Sequence, residues 1–204
     1  GGSSAYIEPL TAGFRDRIKL NTPVTGVERT TDGVNVQSNG EITRFDEVVF
    51  ACHGDQALAI LQQPSDDERR ILSQFQFSDN QVILHTDISH LPRRKGAWAS
   101  WNYRITDRGA AQSTLTYNMN ILQRLHKKHT YLVTLNQDVD QGHIISEFRY
   151  SHPLYTTSMI ETQTQWQQIS GIDRLHYCGA YWHNGFHEDG VRSGLRVCRM
   201  LEGD

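Results

Sequence analysis

The chain has 204 residues, enough for one domain of ordinary size or one and a half. Its 20 basic and 23 acidic side chains are dispersed, which leaves no basic face for nucleic acid, and the longest apolar stretch, Val48 to Cys52, is far short of the ~18 residues of a membrane span. The opening Gly1-Gly2-Ser3-Ser4 lacks the basic and apolar regions of a signal peptide, and Cys52, Cys178 and Cys198 form no CxxC pair, so the expectation is a soluble, cytoplasmic protein without a disulfide framework or zinc knuckle.

Helical spacing comes first at Ile7, Leu10 and Phe14, with Pro9 suited to a first turn. The period then changes to two. Val24 to Arg29, Val34 to Gln37 and Glu41 to Phe45 read as strands joined through Thr31-Asp32-Gly33 and Asn39-Gly40, the second a hairpin signal because both central residues of a type I′ turn need positive φ. Glu47 to Cys52 is continuously apolar after its first residue, the pattern of a parallel strand covered on both faces. Asp55 can cap a helix through Ala57, Leu58 and Leu61, and Ser65-Asp66-Asp67-Glu68 is a capping box opening a helix that buries Ile71, Leu72 and Phe75.

Five strand-like runs follow: Val82 to His85, Trp98 to Tyr103, Ser113 to Met119, Tyr131 to Leu135 and Ile144 to Tyr150. Only a short turn around Ile121 to His126 interrupts them, so they predict a mainly antiparallel sheet. A helix around Met159, Ile160, Gln163 and Trp166, a strand from Arg174 to Cys178, and a helix from Gly190 to Leu201 with Val191, Leu195 and Cys198 inward complete the chain. The fold class is therefore α/β (α+β), with 1–62 and 172–204 as pieces of one domain and 63–171 as a sheet-rich insertion.

The meander and following strand, Ile18 to Val24 through Phe45 to His53, resemble the second FAD-domain segment of flavin-containing amine oxidases. The tail, Tyr177-Cys178-Gly179-Ala180 and then Gly185-Phe186-His187-Glu188-Asp189-Gly190-Val191, is similar to the C-terminal flavin motif of that superfamily. Ala97 to Tyr103 and His187-Glu188-Asp189-Gly190 resemble a bacterial branch described as predicted NAD/FAD-binding amine oxidoreductases. The resemblance implies a partial FAD-binding, Rossmann-like domain interrupted by a substrate (cap) domain. It also implies a fragment, because the strand and GxGxxG turn that hold the FAD pyrophosphate are absent from these residues. The partner expected for the chain is then its missing N-terminal FAD-binding segment, together with a small-molecule substrate.

The same resemblance assigns candidate cofactor contacts. Val24 matches a position whose backbone meets adenine, and Ala51 and Cys52 end the strand beneath the ribose; simple core packing accounts for these three equally well. Gly179, Glu188, Asp189, Gly190 and Val191 belong to the flavin motif, where helix-terminal amides at Gly190 and Val191 would favour the electron-rich reduced ring. Trp98, Trp101, Tyr103 and Tyr117 are either a sheet core or the aromatic wall of a substrate pocket opposite the flavin.

Other chemistries fare worse. His183 and His187 are four apart beside Glu188, but Gly185 interrupts the helix that would align them and no third ligand is evident, so no metal is expected. Cys52 and His53 are strand neighbours pointing to opposite faces and cannot act as nucleophile and base, and no Gly-x-Ser-x-Gly elbow exists. Many of these oxidases place a lysine near flavin N5; Lys95 is the only nearby lysine before the Trp98 strand, and no catalytic lysine is assigned. The expected function is an FAD-dependent oxidoreductase in its full-length form, with the fragment alone inactive. The alternative is a non-catalytic binding or interaction module that has lost flavin chemistry.

Overall fold

The computed structural model describes residues 3–105 and 114–203; Gly1, Gly2 and Ser113, the last expected to open a strand, lie outside the described residues. In chain order the elements are helix α1 (Ile7–Thr11), strands β1 (Val24–Thr30), β2 (Gly33–Ser38), β3 (Glu41–Phe45) and β4 (Val48–Phe50), and helices α2 (Gly54–Ile60) and α3 (Asp66–Leu72). Strands β5 (Phe77–His85), β6 (Trp101–Arg104) and β7 (Thr114–Asn118), helix α4 (Met119–Leu122), and strands β8 (Leu132–Leu135) and β9 (Ile144–Pro153) follow. Helix α5 (Thr157–Gln163), strand β10 (Leu175–Tyr177) and helix α6 (His187–Glu202) close the chain. Contacts divide it into one unit of residues 12–77 and 153–204 and another of residues 1–11 and 78–152.

The first unit combines an antiparallel meander, β1-β2-β3, with a parallel pair, β10-β4. Asn39 and Gly40 both take positive φ, as a two-residue hairpin turn that follows strand twist requires. The core holds Val27 and Val34 of the meander with Phe50, Tyr177 and Leu175 of the parallel pair. Ile71, Leu72 and Phe75 at α3 and Met159 and Trp166 at α5 join the same core, so both helices belong here rather than with the sheet-rich stretch. Phe50 and Tyr177, opposite each other in the parallel register, stack at 5.1 Å between ring centroids. Trp166 donates its indole N–H to the Tyr177 carbonyl at 2.7 Å, so this large ring is buried without leaving its donor unsatisfied.

A buried carboxylate joins three of these elements. Ser65 caps α3 as expected, accepting from the Glu68 amide while Glu68 accepts from the Ser65 amide at 2.8 Å. Glu68 also receives the Tyr177 hydroxyl at 2.5 Å and the Arg29 guanidinium from β1. Burial opposes its ionisation, but the hydrogen bonds from Tyr177, Ser65 and Arg29 outweigh that and hold its carboxyl below the usual range.

Three expectations are corrected. His53, not Asp55, is the N-cap of α2. Strand β4 is not covered on both faces: among the described residues it pairs only with β10, and Val49 is 40% exposed. The last helix starts at His187 rather than Gly190 and is turned about its axis. Asp189, Ser193 and Val197 face inward, whereas Val191 and Leu195 are 47% and 51% exposed and Cys198 is also exposed. The cause is polar: Ser193 accepts the Gly179 amide at 3.0 Å and Asp189 accepts the Phe186 amide at 3.0 Å, which fixes the helix by its small and polar side.

The second unit is a five-stranded sheet in the order β6-β7-β8-β5-β9, with β6/β7, β7/β8 and β5/β8 all antiparallel. Alternation sorts its side chains onto two faces. One carries Ile83, His85, Thr114, Thr116, Asn118, Leu132 and Thr134, all buried; the other carries Trp101, Tyr103, Leu115, Tyr117, Val133 and Leu135, half-buried or exposed, with Val82 buried. Thr116 and Thr134 hydroxyls bond at 2.8 Å, and His85 Nε2 meets Thr134 Oγ1 at 2.7 Å. The Asp87 amide donates to His85 Nδ1 at 3.1 Å, which assigns the ring proton to Nε2. Burial, reinforced by His90, lowers the His85 pKa to about 4, so the ring is neutral at pH 7. Helix α1 buries none of its residues; Ile7, Leu10 and the following Phe14 are exposed.

Glu68→Gln is expected to lower unfolding free energy at pH 7 by about 3 kcal/mol, because it removes one partner from a buried, hydrogen-bonded pair. A carboxyl with a depressed folded pKa contributes stability that is complete above the unfolded range, ~4–5, and is lost as pH falls through the folded value. Urea unfolding followed by circular dichroism should therefore show wild type and Glu68→Gln converging at acidic pH; an equal gap at pH 7 and pH 3 would contradict this assignment.

Candidate functional site

In the first unit the carboxyl ends of the two parallel strands lie side by side. The register pairs Tyr177 with Phe50, and the Cys178 amide continues the ladder to the Phe50 carbonyl at 2.9 Å, so Cys178-Gly179 leaves the sheet beside Ala51-Cys52. Ends of this kind are where open α/β sheets take ligands, because the chains diverge there and leave a crevice.

Two cavities flank Ala51 and Cys52. The larger, about 580 Å³, is bounded by Val24, Val27 and Val36 of the meander, Val49 of β4, and Gln56 and Ile60 of α2. Its wall is apolar apart from Gln56. The smaller, about 170 Å³, adds His53, Gly179, Ala180 and Tyr181. The structure thus brings Val24, Ala51 and Cys52 to one cavity, and Ala51, Cys52 and Gly179 to the other. Glu188, Asp189, Gly190 and Val191 line neither.

Gly179 has φ +154°, and a Cβ there would lie 2.4 Å from the Tyr181 ring, so the turn out of β10 requires glycine. Tyr181 is buried against Phe75 and Phe77, and its hydroxyl has no hydrogen-bond partner; burial, followed by the nearby Cys52, raises its pKa. Burial likewise raises the Cys52 and Cys178 thiols, with Asp55 adding to the first and Cys198 and Cys52 to the second. Neither cysteine is therefore an activated nucleophile. Tyr181 and the His53–Phe77 ring stack, at 3.9 Å between centroids, escaped the sequence reading. The aromatic pair directly after Gly179-Ala180 was the available signal for Tyr181; nothing in the sequence points to His53 stacking on Phe77.

The tail differs in detail from its sequence-based expectation. The Gly190 amide already donates to the Phe186 carbonyl at 3.3 Å, and Val191 lies one residue deeper in α6, so neither amide is a free helix-terminal donor. Gly190 does leave space: a Cβ there would meet only the Ala180 Cβ, at 3.8 Å. Around His183, His187 and Glu188, as elsewhere among the described residues, no three candidate metal ligands gather.

The aromatic candidates lie in the second unit. Trp101 and Tyr117 are cross-strand partners, and Tyr103 shares their open face. Trp98 does not join them. It precedes β6, donates its indole N–H to the Pro92 carbonyl at 2.8 Å, and has the Lys95 ammonium 5.9 Å from its ring. Among the described residues no helix is long and apolar enough to cross a membrane.

Comparison with known proteins agrees with this architecture. No curated protein matches the sequence. A CLA-producing fatty acid isomerase from P. acnes has a TM-score of 0.64 and 15% identity, covering 98% of this chain and 52% of that one. Wild-type putrescine oxidase bound to putrescine has a TM-score of 0.63 and 12% identity, covering 100% and 53%. Cyclohexylamine oxidase from Brevibacterium oxydans IH-35A has a TM-score of 0.62 and 13% identity, covering 99% and 53%. At these identities the likeness is one of fold, and the chain spans about half the length of each of these proteins. The family model for flavin containing amine oxidoreductases matches residues 1–120, more than half of the chain. The chain belongs to the flavin-containing amine oxidoreductase family.

Proposed function

We propose that the chain is the C-terminal part of an FAD-dependent oxidoreductase. The unit of residues 12–77 and 153–204 would serve as its partial, Rossmann-like FAD-binding domain and the sheet of 78–152 as its substrate-bearing cap. The observation that carries this reading is the 580 Å³ apolar cavity where the strand end Ala51-Cys52 meets Val24 of the meander.

The residues present suit that cofactor. A wall of valines with one amide, Gln56, matches a flat heteroaromatic ring and its attached sugar. Gly179 and the Tyr181 side chain line the adjoining cavity, where a flat ring can approach the backbone. No arginine or lysine lines either cavity. In this reading the pyrophosphate would be met by a strand and glycine-rich turn of the GxGxxG kind, for which the edge of β4, unpaired among the described residues, offers a pairing site. When bound, FAD supplies the hydride or electron chemistry. The chain's own residues orient it through Val24, Ala51 and Cys52, keep water from it with the apolar wall, and leave room beside Gly190 for close approach to backbone. Glu188 and Asp189 fill the first turn of α6, so its dipole favours added electron density less than an uncharged terminus would. The exposed face of Trp101, Tyr103 and Tyr117 would contact the small-molecule substrate. The three free thiols are consistent with a reducing cytoplasm.

The test is the absorption spectrum of the full-length product of the parent gene beside that of this chain alone. Flavin bands in the first and none in the second are expected. A full-length protein without flavin, or stoichiometric yellow cofactor on the 204-residue chain, would contradict the reading. In the full-length enzyme, Gly190→Leu should weaken FAD binding about tenfold or more by filling the space beside Ala180, while Gly190→Ala should be tolerated. Val191→Pro is no substitute, since the fifth helical position would lose ~3 kcal/mol of helix stability whatever it faces.

A further inference from the structure

The cap unit contains a further cavity, which shares only Tyr103 with the proposed substrate-contact face. It has a volume of about 290 Å³ and is lined by Ser89, His90 and Arg93 from the segment after β5 and by Asn102, Tyr103 and Arg104 of β6. No carboxylate is on its wall. Among the described residues, neither Arg93 nor Arg104 makes an ion pair. Two guanidinium groups around one concavity repel each other, an arrangement that favours occupation by an anion.

The other polar groups around the cavity are closed off or already spent. His90 is only 6% exposed, and its Nδ1 is buried without a hydrogen-bond partner. With no accessible surface, that nitrogen is closed off from the cavity and is not a ligand contact. Its other nitrogen, Nε2, is 3.6 Å from Asp87, beyond ordinary hydrogen-bond length, and Asp87 spends one oxygen on the Ser89 amide at 2.9 Å. The Asn102 amide is committed to Ala99 and to the Thr116 carbonyl, so it shapes the wall and does not serve as a donor to a ligand. The Ser89 side chain bonds Asp87, so the donors left for a ligand are Arg93, Arg104 and the Tyr103 hydroxyl, with Leu91 and Pro92 as an apolar side.

We propose that this cavity of the cap unit binds the oxyanion head group, phosphate or carboxylate, of a compact small molecule, held by Arg93 and Arg104. The planar guanidinium fork matches either oxyanion through paired, charge-assisted hydrogen bonds. The volume accommodates such a head group with a short body resting on Tyr103, Leu91 and Pro92. The proposal stands on the cap unit alone and survives if the flavin reading fails.

Calorimetric titration of the full chain with inorganic phosphate, and separately with succinate at matched ionic strength, tests it. One saturable site is expected for at least one of the two, and the tighter anion names the head group. Arg93→Gln and Arg104→Gln should each weaken binding about tenfold or more, as loss of a charge-assisted pair does. Arg94→Gln, on the same segment but outside the cavity, should leave binding unchanged, with circular dichroism showing all three variants folded. Absence of saturable binding by both anions would overturn the proposal, and so would an equal loss in Arg94→Gln, since that would mean diffuse charge attraction and not a site.

Discussion

The arrangement of the candidate cofactor unit depends on one buried carboxylate. Glu68 receives the Ser65 amide at the start of α3, the guanidinium of Arg29 on β1 and the hydroxyl of Tyr177 on β10. Those three donors come from the three parts that must be held in register for the strand ends to form a crevice. Tyr177 stacks on Phe50, and Phe50 is the residue before Ala51-Cys52, so the position of the cavity floor follows from the carboxylate through two side chains. Being directional, these bonds select one arrangement of helix, meander and parallel pair where hydrophobic burial alone would tolerate several.

Much of this was legible in the sequence because it is encoded locally. The Asn39-Gly40 turn needs two positive φ values, and the Ser65 to Glu68 capping box needs only four consecutive residues. The meander and the sheet of the second unit follow from period-two patterns, which survive any tertiary context that buries one face. What sequence could not supply was orientation. Leu195 and Val191 read as the inner face of α6, yet Ser193 and Asp189 face inward because their hydrogen bonds to Gly179 and Phe186 outweigh the apolar preference. Trp98 looked like part of an aromatic strand and instead hangs from the Pro92 carbonyl.

The sheet of 78–152 mixes polar and apolar groups on its inner face for the same reason. Its buried face sets Ile83 and Leu132 among threonines and a neutral histidine that satisfy one another, so the polar burial carries little penalty, while Trp101 and Tyr103 stay at the surface. In the other unit Val49, Val191 and Leu195 are likewise open, and β4 has a free edge among the described residues. The chain spans about half the length of the solved structures it resembles.

The central claim is that the crevice at Val24, Ala51 and Cys52 holds the cofactor. Hydrogen exchange of the full-length enzyme with and without FAD addresses it directly, because amides that approach a bound ligand exchange more slowly. The account predicts slower exchange on FAD addition at 24–27, 51–54 and 179–190, with the sheet of β6, β7 and β8 unchanged. Protection confined to that sheet, or none at 51–54 with the cofactor demonstrably bound, would contradict it.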